Sequence, residues 1–140
     1  MSKKPTYAYV TENGDSTYAV NIKVSDHEMV GDEPEDFGGG NLGPAPYDLL
    51  LAALGECTVM TVRWYAVQKG WPVEHVEVDL SHHKEDRKDV FRKEVTITAP
   101  ELTEEQHAKL REITEKCPTQ RTLLSDITEI KTICESPDCD

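Results

Sequence analysis

The sequence predicts an α+β fold, and three patterns carry that prediction. Apolar and polar residues alternate on both sides of Asn13-Gly14, a long apolar helical pattern runs from Tyr47 to Lys69, and a second alternating pair precedes a capped amphipathic helix that starts after Thr103. The 140 residues suit one domain, 1–133, with 134–140 as a flexible C-terminal tail. A formal net charge of −12 opposes contact with phosphate backbones and anionic membranes, so nucleic acid and membrane are not expected partners. The opening "MSKKPTYAYV" has no apolar run behind it, and the expected location is the cytoplasm.

Taken in order, "PTYAYVTENGDSTYAVNIKV" reads as two antiparallel strands turning at Asn13-Gly14. Next, "SDHEMVGDEPEDFGGGNLGPAP" loses periodicity; after a short strand over Asp26–Val30 it predicts a mobile loop. Gly38, Gly40 and Gly43 fit G-x-G-x-x-G, but no buried strand precedes them. Pro44 and Pro46 also keep a helix from starting at the glycines, which argues against a dinucleotide site. From Tyr47 to Lys69 one face carries Leu50, Ala53, Leu54, Cys57, Thr61 and Trp64, while Leu49, Leu51, Val59, Met60, Val62 and Val67 fall elsewhere around the axis. Such a helix should be covered on most sides, as a central or interface helix. "VEHVEVDLSHHK" and "VFRKEVTITA", joined by the charged "EDRKD", predict a second antiparallel pair. Thr103 and Gln106 form a capping box for a helix reaching Lys116; Pro118 starts a short helix, and "ITEIKTI" predicts a last strand.

Four cysteines without a secretion signal argue for free thiols, redox chemistry or a metal rather than a disulfide framework. A lone cysteine such as Cys57 on an apolar helix face is usually packing. Cys117 differs: as an N-cap it would face the free N–H groups of the following turn, with Lys116 and Arg121 nearby, and these surroundings favour a thiolate. Cys57, in mid-helix, would need a cation delivered from elsewhere. His82 and His83 point to opposite faces of a strand and cannot chelate one ion, and Cys134 and Cys139 are too loosely spaced for a zinc site with a histidine. No metal and no cofactor are expected.

The run "GPAPYDLLLAALGECTVMTVRWYAVQKGW", followed later by "KCPTQRTLL", resembles the OsmC/Ohr family of thiol-dependent hydroperoxide-handling proteins, and most of all its OsmC-like branch. The likeness covers nearly the whole chain. It implies an intertwined homodimer in which antiparallel sheets wrap two long central helices. It also implies that Cys57 is the peroxidatic thiol and Cys117 the resolving one, at a subunit interface, acting on organic hydroperoxides and regenerated by an external dithiol reductant. That assignment reverses the one local electrostatics favours.

Tyr47 stands where the family's well-studied peroxidases carry a glutamate. No arginine precedes Arg63, so the activating cation would be Arg63, Arg121 or Lys23. Asp48 reads as a first-turn acid, whereas Glu56 would raise the Cys57 pKa unless paired, for instance with Arg63. Tyr47 could donate a hydrogen bond to the site or only pack. The thiol is therefore expected close to its free pKa of about 8.5. Leu54, Met60 and Trp64 suit an alkyl chain. The alternative reading is a non-enzymatic module that binds a small apolar ligand or senses oxidation through its thiols.

Overall fold

The computed structural model describes residues 4–135. Strands β1 (Ala8–Glu12), β2 (Val20–Val24) and β3 (His27–Gly31) form an antiparallel sheet in the order β1-β2-β3. Glu12 pairs with Val20 and Val24 with His27, so the β2–β3 turn has two residues and the β1–β2 loop spans Asn13–Ala19. The Asn-Gly hairpin is thus longer than a two-residue turn. Its Ser16 Oγ lies 2.9 Å from both carboxylate oxygens of Asp32 and accepts from the N–H groups of Tyr18 and Ala19. The loop is drawn out to reach that carboxylate.

The segment after β3, expected to be mobile, is instead tethered to Asp32. This buried side chain also accepts N–H bonds from Glu33 (2.8 Å), Gly40 (2.9 Å) and Leu42 (3.3 Å). Burial opposes its charge, but the Ser16 hydroxyl and the three amides outweigh that and hold its pKa below the usual carboxylate value. A Cβ at Gly39 would overlap the carbonyl oxygen of Glu33, and one at Gly43 that of Val30. The glycines therefore allow backbone to lie against backbone, and no phosphate cradle is needed to explain them.

Helix α1 (Pro46–Lys69) begins where Asp48 Oδ2 accepts the Ala45 N–H at 2.9 Å. It ends in a Schellman motif: Gly70 has φ +67°, its N–H donates to Val67 O, and the Trp71 N–H donates to Ala66 O. The chain covers only one face of this helix, burying Leu54, Gly55, Thr58, Val62 and Ala66. Along the other face run exposed Leu50, Ala53, Met60, Trp64 and Val67 with half-buried Cys57 between them, alternating steps of three and four residues as in a helix-pairing seam. Met60, Trp64 and Val67 are 60%, 62% and 63% exposed. By length and composition α1 could cross a membrane, yet its covered face belongs to a protein core.

Two compact units are present. One joins the residues before Leu54 to Leu80–Lys93; the other joins Leu54–Asp79 to the residues from Glu94 on. The second holds the main core, in which Val62, Ala66, Val73, Val76, Ala99 and Leu110 pack with Tyr65, Trp71, Val95, Ile97 and Leu102. Strands β4 (His75–Glu85) and β5 (Lys88–Thr98) pair through a two-residue turn. Asp86 (φ 48°) and Arg87 (φ 69°) are both left-handed there, so the strands extend into the charged stretch that the sequence suggested as a loop.

Helix α2 (Glu104–Ile113) carries the full Thr103/Gln106 capping box. It tightens into a 3₁₀ turn over Thr114–Lys116 before α3 (Pro118–Leu124). The strand expected over "ITEIKTI" does not form. Ile127, Ile130 and Ile133 are 88%, 88% and 86% exposed, and no strand of the described residues pairs with them to satisfy their backbone groups.

Candidate functional site

Cys57 and Cys117 come together. Helix α1 presents Cys57 half-buried in mid-helix, and the 3₁₀ turn delivers a fully buried Cys117 as the N-cap of α3; both are free thiols. Pro118 at the first helical position lacks an N–H, so Thr119 carries the first free amide of α3. The Cys117 sulfur makes no cap bond with its own helix. The Cys57 thiol responds to several neighbours. Burial raises its pKa, but hydrogen bonds from the Thr119 hydroxyl, the Cys117 thiol, the Thr119 N–H and the Thr61 hydroxyl (Oγ1 at 3.9 Å) more than offset it, and the net shift is downward.

This corrects one expectation: the Cys57 pKa is depressed rather than near the free value. Thr119 escaped the sequence reading; the one available signal was its position directly after the Cys-Pro pair, where the first amide must find an acceptor.

The other candidates lie elsewhere. Arg63 Nη1 donates to the Val73 carbonyl at 2.7 Å, and no ion pair joins it to exposed Glu56 among the described residues. Arg121 is exposed on α3, and Lys23 is exposed on β2. Tyr47 stacks on His82, with ring centroids 4.6 Å apart and an interplanar angle of 14°. His82 also packs on Phe91 and donates to Asp89 at 2.9 Å, with Lys84 at 3.6 Å from the same carboxylate. The His82 hydrogen bond is the largest influence lowering the Asp89 pKa. Alternation put His82 opposite His83 but gave no sign of the aromatic stack.

Leu54 is buried and not available to a ligand, whereas Met60 and Trp64 line a shallow cleft of about 480 Å³ with Val59, Arg63, His75 and Val76. Cys134 is disulfide-bonded. Cys139 and the rest of the expected tail, 136–140, lie outside the described residues.

The OsmC-like protein family model matches residues 38–132. Among solved structures, one from Psychrobacter arcticus superposes with a TM-score of 0.70 at 18% identity, covering 86% of this chain and 89% of its own. An OsmC-like protein from Mycoplasma pneumoniae gives 0.68 at 15% identity, covering 91% and 92%. The organic hydroperoxide resistance protein OhrB of Bacillus subtilis gives 0.60 at 16%, covering 89% and 94%. No curated protein matches the sequence.

Proposed function

The chain belongs to the OsmC-like family, and from that premise we propose that it reduces organic hydroperoxides through Cys57, resolved by Cys117, in a cytoplasmic homodimer. The observation that carries the reading is the contact between a thiol whose ionisation is favoured and a second, buried free thiol. The Cys57 thiolate attacks the terminal oxygen of ROOH and the O–O bond breaks. Its electron pair leaves with RO⁻, which takes a proton from solvent to become ROH. The sulfur is oxidised to sulfenic acid. Cys117 then attacks that sulfur; the S–O bond breaks, water leaves, and a Cys57–Cys117 disulfide remains for an external dithiol to reduce. Met60 and Trp64 offer apolar surface for the R group.

The homodimer reading rests on the exposed seam of α1, since such a row of apolar side chains on a soluble chain marks an interaction surface. Cys57 lies on that seam, so a second α1 laid against it would place the thiol at a subunit interface. The test is steady consumption of cumene hydroperoxide with dithiothreitol or dihydrolipoate as donor, abolished in Cys57→Ser. With Cys117→Ser the first turnover should persist while the disulfide is lost. Stoichiometric oxidation of Cys57 without turnover under any dithiol would favour a redox sensor instead.

A further inference from the structure

We propose that Cys134 and Cys139, spaced C-x-x-x-x-C in the sequence, form a second dithiol that passes electrons from an external dithiol to the Cys57–Cys117 disulfide. The proposal rests on the reading of Cys57 and Cys117 as the reacting pair. Cys134 is held in a disulfide, and its partner is neither Cys57 nor Cys117, since both of those thiols are free. That bond fastens nothing to the core. Cys134 is exposed in a segment without helix or strand, in which Ile130 and Ile133 are exposed as well, so an incoming thiolate has open access to it. Cys117 is fully buried and Cys57 half-buried, and a bond between those two is the harder one for a bulky dithiol to reach.

The segment is long enough to bring Cys134 to the site. Thr128 Oγ1 donates to the Thr122 carbonyl at 3.0 Å, which holds the segment beside α3. From Thr122 back to Cys117 the helix rises about 7.5 Å, whereas the chain from Thr128 to Cys134 spans up to about 20 Å when extended. Cys134 therefore reaches the Cys117 end of α3 without the helix moving. Its thiolate attacks the Cys57 sulfur, the more accessible of the two; the Cys57–Cys117 bond breaks and the electron pair leaves on Cys117, which takes a proton from solvent. Cys139 then loses its proton and attacks Cys134 in the mixed disulfide, and the electron pair returns to Cys57. One disulfide is reduced and another is formed, which the external dithiol reduces in turn.

The test follows a single disulfide along the chain. Reduced protein receives one equivalent of cumene hydroperoxide, is quenched with N-ethylmaleimide at intervals, and is mapped by peptide mass spectrometry. The Cys57–Cys117 disulfide should appear first and give way to Cys134–Cys139, at a rate independent of protein concentration. Cys134→Ser should keep the first disulfide. A short tether holds its end group at millimolar effective concentration, so a reduced peptide of residues 132–140, added at about 10 μM to Cys134→Ser, should restore the transfer about a hundredfold more slowly. A Cys57–Cys117 disulfide that persists in wild type as it does in Cys134→Ser would overturn the relay and leave the hydroperoxidase reading standing. Equally fast Cys134–Cys139 oxidation in Cys57→Ser would overturn the relay too, by showing that peroxide oxidises the tail directly. Absence of any Cys57–Cys117 disulfide would overturn both readings. Transfer in a protein that shows no steady turnover with dithiothreitol would uphold the relay and refute the hydroperoxidase reading alone.

Discussion

Oxidation that joins Cys57 to Cys117 closes a loop of roughly sixty residues, and its effect on stability follows from chain entropy. The closure term is about 3 kcal/mol for a 15-residue loop and about 4.7 for a 100-residue one, so this bond should stabilise the folded chain by about 4 kcal/mol. The Cys117 thiol is among the groups that lower the Cys57 pKa, so the two side chains are neighbours and the movement needed to form the bond is small. With a urea dependence of about 2 kcal/mol per molar, the unfolding midpoint should rise by about 2 M. The experiment compares reduced and peroxide-treated protein in a Cys134→Ser/Cys139→Ser background. Protein concentration is held fixed, because assembly makes midpoints concentration-dependent. Peptide mapping confirms which sulfurs have joined. Oxidised protein with the bond in place but an unchanged midpoint would refute the reasoning, as would a Cys57 linkage between two chains in place of the internal one.

Three further outcomes are expected. Trp64→Glu, on the exposed seam of α1, should weaken self-association by about 30-fold or more while leaving the monomer's core intact; sedimentation decides, and a wild-type protein that is monomeric at micromolar concentration removes the interface. Asp32 has a folded pKa below its unfolded value of about 3.9, so the stability it contributes is present above that value and is lost as pH falls through the lower folded one. Asp32→Asn should flatten acid sensitivity in that window and speed amide exchange at Gly40 and Leu42; unchanged exchange at those amides would contradict the tether. Arg87→Gly should stabilise the protein by about 1 kcal/mol by relieving a left-handed non-glycine residue, and a lower thermal midpoint would count against a two-residue turn.

Patterns of short range were legible in the sequence. Alternation located β1, β2, β4 and β5, and the Thr103/Gln106 box located the start of α2, because periodicity and capping are properties of neighbouring residues. The likeness to a family named the two cysteines. What the sequence alone could not decide was which thiol receives which donor. Cys117 sits at the helix end, but the thiol whose pKa is lowered is that of Cys57, from a helix far away in the chain. The same holds for Ser16 reaching Asp32, which stretched an Asn-Gly turn into a longer loop, and for Tyr47 stacking on His82. It holds in reverse for "ITEIKTI", whose strand propensity found no edge to pair with. In each case the outcome depended on a hydrogen bond or stacking contact between residues distant in sequence, and only the tertiary structure decides whether such a partner arrives.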